Sequence, residues 1–395
     1  MKKTIYENIS YLDARNLTPE AAQGIESISN TAFLLVSEQS AQLLSGIEMS
    51  NISSTLLMKD EMNLVHVNGQ HIYTAGGSTQ NLYLMINGQL TFDQSVTAVE
   101  IASAVVGGVV NGQAIGSASQ ISAMTQVGVM VNGQSVIYPD GARLRKGNTP
   151  LTPNECMMIP ENSKLYILKR VMLEAGSAEI LHSRNIKIDC HKQLFVAKSD
   201  AALMSYIYDG DPSRCIIIPD GFTLRQSSLT VTRQNALTLQ GSLCIYGSVY
   251  IHEVNPAHLS RLEALHITGK IYVPVDQMDL WIPLIQGEPE WIPYEGTLQL
   301  IDGVATIGAL TAPKTIINHG VATLSPELTS ELLQKNMKLI INDGVLNATP
   351  AQITALGDVM ISNGQINTLE DESDASSKPR DPSFNYISNI AMYVL

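Results

Sequence analysis

Short apolar runs recur along the chain, each closed by Asn-Gly and followed by more apolar residues. The cleanest read Leu64-Val65-His66-Val67-Asn68-Gly69-Gln70, Leu84-Met85-Ile86-Asn87-Gly88-Gln89, Val109-Val110-Asn111-Gly112-Gln113 and Met130-Val131-Asn132-Gly133-Gln134. Their glycines are spaced by 19, 24 and 21 residues. Weaker copies follow at Gly269, Gly303, Gly320 and Gly344, and at Ser362-Asn363-Gly364-Gln365. Asn and Gly tolerate positive φ, so each pair predicts a strand followed by a sharp corner. Asn68, Gly69, Asn87, Gly88, Asn111, Gly112, Asn132, Gly133, Asn363 and Gly364 are the expected structural corners. Asn-Gly between apolar runs also signals a two-residue hairpin. The recurring spacing favours stacked coils over independent hairpins.

Between the corners, Thr18-Pro19-Glu20, Asn255-Pro256, Ser325-Pro326-Glu327 and Thr349-Pro350 each place a capping side chain before a proline. Such a pair starts a helix, because the cap accepts a bond from an orphan amide and proline has no amide to leave unpaired. Apolar residues at helical spacing follow, as in Leu328, Leu332 and Leu333. The pattern Leu259-x-x-Leu262-x-x-Leu265-x-Ile267-x-Gly269-x-Ile271 resembles a leucine-rich repeat, as does Ile353-x-x-Leu356-x-x-Val359-x-Ile361 followed by Asn363 and Ile366. The Gly- and Val-rich coils of residues 60–140 resemble a parallel β-solenoid and are loosely similar to the bactofilins, bacterial cytoskeletal polymers. The resemblance implies a mainly β, stacked-repeat β-solenoid, with short helices in the N- and C-terminal leucine-rich-repeat-like coils.

The expected domains are solenoid repeats at 1–140, a β-rich middle at 141–250 that reads as a doubled unit or insertion, and leucine-rich-repeat-like coils at 251–368. An acidic flexible linker at 369–382 and an apolar tail at 383–395 follow. The middle carries an echo, Cys156-Met157-Met158-Ile159-Pro160 and Cys215-Ile216-Ile217-Ile218-Pro219. Its charge also differs. Residues 143–198 hold ten Lys/Arg and five Asp/Glu, a net of +5, within a chain of net charge -13.

Composition narrows the class. At 45% hydrophobic and 15% charged residues, the 395-residue chain is not wholly disordered. Its net acidity argues against a dedicated nucleic-acid binder. Ile101 to Val110 is about half a membrane span and contains two glycines, so no membrane insertion is expected. No apolar h-region follows Met1-Lys2-Lys3, which makes the cytoplasm the expected compartment.

Candidate chemistry is sparse. Cys156, Cys190, Cys215 and Cys244 lie too far apart for a zinc cage. Asp189-Cys190-His191 groups reactive side chains, but neighbours on a strand face opposite ways. Trp281-Ile282-Pro283 and Trp291-Ile292-Pro293 read as two equivalent turns. No catalytic, cofactor-binding or metal-binding residue emerges, so neither an enzyme nor a cofactor is expected.

The expected function is a non-catalytic structural protein. It would self-associate into an oligomer or filament through solenoid ends, complementary charge and the tail residues Phe384, Tyr386, Ile387, Ile390, Met392, Tyr393 and Leu395. The tail would either fold back on its own domain or add as a strand to another copy. The alternative is a monomeric repeat module that binds another protein. A carbohydrate-active β-helix enzyme is a third reading.

Overall fold

The computed structural model describes residues 2–59, 61–77, 79–369, 381, 383–390 and 393–395. All pairing between its strands is parallel. The first sheet holds β1 (Thr4–Asp13), β2 (Ile25–Val36) and β3 (Glu48–Leu57). The second holds β4 (Asn63–Tyr73), β5 (Leu82–Phe92), β6 (Val105–Ser117) and β7 (Val129–Tyr138).

Two short sheets follow. One joins β8 (Arg143–Arg145), β9 (Lys164–Ile167) and β11 (Lys187–Cys190). The other joins β10 (Val171–Met172), β12 (Leu194–Ala197) and β13 (Cys215–Ile218). The third pair of sheets interleaves along the chain. β14 (Thr223–Arg225), β16 (Gly241–Ile245), β18 (Leu262–Ile267) and β20 (Ile285–Gln286) form one, and β15 (Leu229–Val231), β17 (Val249–Ile251), β19 (Lys270–Pro274) and β21 (Glu290–Tyr294) the other. The last pair interleaves likewise. It comprises β22 (Thr297–Ile301), β24 (Lys314–Asn318), β26 (Met337–Asn342) and β28 (Met360–Ser362), against β23 (Val304–Ile307), β25 (Val321–Leu324), β27 (Val345–Ala348) and β29 (Gln365–Thr368). The C-terminal strands β30 (Asn385–Ile390) and β31 (Tyr393–Val394) return to the first sheet. Each interleaved pair encloses one apolar cluster, for example Leu229, Ile245, Leu265 and Ile271 with the fully buried Trp281.

This architecture corrects the stacked-repeat β-solenoid reading and the leucine-rich-repeat and bactofilin resemblances. There are eight separate small parallel sheets among the described residues. Helices occur along the whole chain, not only near its ends: α1 (Pro19–Gln23), α2 (Glu38–Leu44), α3 (Ala98–Ala104), α4 (Ala118–Gln126), α5 (Pro153–Met158), α6 (Ser177–Ser183), α7 (Ala201–Ile207), α8 (Met278–Trp281), α9 (Ser330–Asn336) and α10 (Pro350–Leu356). End-on-end self-assembly of one continuous coil falls with the same correction.

The reasons are local. Thr97 and Ser117 cap α3 and α4 with reciprocal capping boxes to Glu100 and Gln120, without any proline. Thr152 caps α5 ahead of Pro153, inside the region expected to be β-rich. Cys156 therefore lies in a helix while Cys215 opens a strand, so the Cys-…-Pro echo is not one repeated element. Trp281 ends a helix and Trp291 sits in β21, so the two Trp-Ile-Pro segments are not equivalent turns.

Sheets change at two turns of identical sequence. In Pro139-Asp140-Gly141 and Pro219-Asp220-Gly221 the glycine φ values are 76° and 82°, as a type II turn requires. The amides of Ala142 and Phe222 close these turns on the Pro139 and Pro219 carbonyls at 3.1 and 3.2 Å. Each aspartate accepts a backbone N–H from one layer earlier, Ser119 to Asp140 and Ser199 to Asp220, both at 3.1 Å.

Candidate functional site

The apolar tail forms a strand on the outer edge of the first sheet. β30 pairs with β1 in parallel, Ile5 opposite Tyr386, Glu7 opposite Ser388 and Ile9 opposite Ile390. β31 continues the pairing with Leu12 opposite Tyr393 and Asp13 opposite Val394. The Asn385 amide donates to the Lys3 carbonyl at 3.0 Å, and the Leu395 amide to the Asp13 carbonyl at 2.8 Å.

Local sequence explains the fit. Asn8, Asn30 and Asn51 sit at left-handed φ of 55°, 51° and 53°, and their side chains form a ladder, Asn30 donating to Asn8 at 3.0 Å and Asn51 to Asn30 at 2.9 Å. Asn389 has φ 60° and lies level with Asn8, between the paired positions Ser388 and Ile390. Asn adopts this conformation more readily than other side chains. The Asn-Gly pattern does not point to these residues. The signal that does is Ser29-Asn30-Thr31, Ser50-Asn51-Ile52 and Ser388-Asn389-Ile390, in which the tail repeats the motif of the sheet it joins.

The side chains follow the backbone. Ile387, Tyr393 and Leu395 pack on the core of Tyr6, Ile9, Leu12 and their neighbours. The Tyr6 and Tyr393 rings lie 5.4 Å apart, and burial first, then Tyr393, pushes the Tyr6 hydroxyl up to about 12. Phe384, Tyr386 and Ile390 are half-buried. Met392 and the linker call at 369–382, apart from Leu369 and Asp381, lie outside the described residues.

The expected corners at residues 68–133 fall inside continuous strands. Asn68, Asn87, Asn111 and Asn132 stand in register across β4–β7, as do Gly69, Gly88, Gly112 and Gly133. Each asparagine from Asn87 onward donates its amide to the one before it at 2.9 Å. Only the glycines take positive φ, from 123° to 151°. Asn363 and Gly364 lie between β28 and β29, with the Asn363 amide donating to Asp343 at 2.9 Å.

The reactive trio does not converge. Cys190 Sγ lies 3.1 Å from the Tyr208 hydroxyl and donates to the Lys192 carbonyl at 3.3 Å, while the buried His191 Nε2 has no hydrogen-bond partner among the described residues. Burial pushes the thiols of Cys156, Cys190 and Cys244 up, and that of Cys215 up to about 11. Thiolate reactivity follows ionisation. All four cysteines are thus expected to react slowly with Ellman's reagent in the folded protein at mildly alkaline pH, and fully in denaturant. A fast-reacting native thiol would contradict this reading.

A cleft of about 650 Å³ lies where β15, β17, β19 and β21 end, with Arg233, His252, Glu253, Asp276 and Glu295 on its walls. Arg233 Nη2 meets Glu253 Oε1 at 2.9 Å, and burial pushes the His252 imidazole down. Among the described residues, no three His, Cys, Asp or Glu side chains gather to hold a metal ion, and no helix is long and apolar enough to cross a membrane. No family model, curated protein or solved structure matches this chain.

Proposed function

We propose that the chain is a non-catalytic structural protein that forms homo-oligomers by exchanging its C-terminal strand between copies. The observation that carries this reading is the register of β30 and β31 on β1. The strand is contiguous with none of the elements it joins, and its backbone bonds to β1 would be the same whether the edge belonged to its own chain or to a second copy. Strand addition supplies main-chain hydrogen bonds, and side-chain pockets then set its register. Each half-buried large apolar side chain of the tail adds about 1 kcal/mol, roughly half the value for full burial.

Full-length protein is expected to run as an oligomer by light scattering, and deletion of residues 383–395 to shift it towards monomer. Deletion also uncovers β1, so a second experiment keeps the strand. Glu7 and Ser388 face each other across the pairing. Mixing Glu7→Cys protein with Ser388→Cys protein under oxidation should give a covalent dimer that contains one of each. A monomeric full-length chain at high concentration, with no mixed dimer, overturns the proposal.

A second reading, a monomeric module that binds another protein, is favoured by β3. It pairs on one side with β2, and among the described residues no strand covers its other edge.

A further inference from the structure

We infer that the groove between the face of β4–β7 and the lysines that follow β8, β9 and β11 binds an anionic polysaccharide chain carrying carboxylates, of the uronate class. The groove encloses about 300 Å³. Its rim carries Lys146, Lys169 and Lys192, three exposed ammoniums in no ion pair among the described residues. The Asp93 carboxyl is held below the usual range chiefly by Ser95 and in small part by Lys146. A second hollow of about 320 Å³ shares Lys169 and Lys192 and adds Arg170, so the basic strip extends beyond the first groove. This is the region of net +5 in a chain of net -13, so the anion is drawn to one place and repelled elsewhere.

The opposite wall decides the kind of anion. Gln70, Gln89 and Gln113 line it at matching positions of adjacent strands, which parallel pairing spaces at about 4.8 Å. Gln89 donates to Thr91 at 2.9 Å and Gln113 to Gln134 at 3.2 Å, which leaves amide oxygens for a ligand, while among the described residues Gln70 makes no side-chain hydrogen bond. A row of identical amides facing a row of ammoniums suits a ligand that repeats hydroxyls and carboxylates along its length. Ile72 and Leu168 supply apolar surface for its ring faces.

Two other polyanions fit less well. Among the described residues no Phe, Tyr or Trp lines the groove, and the one imidazole there, His191, makes a poor stacking platform for a nucleic acid. The wall is the face of a sheet whose backbone is already paired, so an acidic peptide cannot add to it as a strand.

Calorimetric titration of the full chain with an octameric oligogalacturonate tests the inference, beside an octameric glucan, octaglutamate and an octathymidylate. The uronate is expected to bind, and the neutral glucan not to. Lys169→Glu with Lys192→Glu should weaken uronate binding about tenfold or more, as truncated charge contacts do, and Gln113→Leu should weaken it too, with circular dichroism unchanged. Three results would each overturn the site: no uronate binding at millimolar concentration, binding of octaglutamate or octathymidylate at least as tight, or insensitivity to the charge reversal.

Discussion

Gly112→Ala is expected to cost about 4 kcal/mol or more and to be among the most damaging single-methyl additions in the chain. Two effects meet at this position. Its φ is +142°, in a region essentially reserved for glycine, where an L side chain is strained by about 1–3 kcal/mol. Its new Cβ would also lie 2.1 Å from the Gly88 carbonyl oxygen, which is backbone and cannot swing aside. Overfilling of this kind costs a further 1–3 kcal/mol or more, about what moving a paired strand demands.

Two other glycines separate the terms. Gly69 has φ +123° but nothing within 4 Å of the added carbon, because β4 is the first strand of its sheet. Gly344 is outside the left-handed region, yet its Cβ would sit 2.1 Å from the Gly320 carbonyl oxygen. Gly69→Ala should therefore show strain alone and Gly344→Ala the clash alone, with Gly112→Ala worse than either. Urea unfolding of the three variants checks the order. A Gly112→Ala loss within about 1 kcal/mol of Gly69→Ala would show that the strands slide apart freely, and the argument would fail.

The same glycines show how far the sequence is legible. Their spacing reveals that residues 68–133 hold equivalent positions on adjacent strands, and Asn68, Asn87, Asn111 and Asn132 do stand in register. The pattern misleads about conformation. Asn-Gly suggests two left-handed residues and a corner, whereas here the asparagine is extended and used for its amide, and from Gly88 onward the glycine is needed because the carbonyl of the preceding strand's glycine is so close. Among the described residues the left-handed asparagines are elsewhere, at Asn8, Asn30, Asn51, Asn81, Asn162, Asn185 and Asn389, with no glycine beside them.

The division into separate sheets was hidden for a related reason. Pairing of adjacent strands repeats locally, but whether one sheet continues into the next is decided by short turns such as Pro139-Asp140-Gly141 and Pro219-Asp220-Gly221. Either looks like an ordinary loop until its aspartate is seen bonding the layer before. At the tail, apolar content alone marks residues that will pack on something. The Ser-Asn-Ile motif adds which sheet they match, and neither can say whose edge is filled. The basic groove was legible only as a charge imbalance, because its amide wall lies far from its lysines in sequence.

Gln352→Glu should destabilise the C-terminal sheets by about 4 kcal/mol at neutral pH, and part of the loss should return on acidification. Gln352 is the third residue of α10 and 3% exposed. Its Oε1 accepts the Thr349 amide at 3.0 Å, while Nε2 donates to the carbonyls of Ser325 and Leu328 at 2.8 and 3.0 Å. Gln120 does the same in α4, with Nε2 on the carbonyls of Asp93 and Val96 at 2.8 and 2.7 Å. One side chain thus caps its own helix and ties it to the turn one layer earlier.

A glutamate keeps the shape and the accepted bond but points a charged oxygen at two carbonyl oxygens. The Leu328 carbonyl then loses its donor, at about 1–3 kcal/mol, while the Ser325 carbonyl keeps the Leu328 amide at 3.0 Å, and the buried unpaired charge facing both oxygens supplies the rest. Gln352→Leu removes the same donors without the charge and should cost less at neutral pH. The site disfavours the ionised glutamate, so its folded pKa rises above the unfolded value of about 4.3. Between those two values the folded state holds the extra proton, so stability falls as pH rises through the folded pKa and recovers as pH drops towards the unfolded one. Unfolding of the glutamate and leucine variants at neutral pH and near pH 5, with hydrogen exchange across residues 325–360, reads this directly. A glutamate variant as stable as the parent, or one that loses ground to the leucine variant on acidification, would show that the two carbonyls do not depend on Gln352.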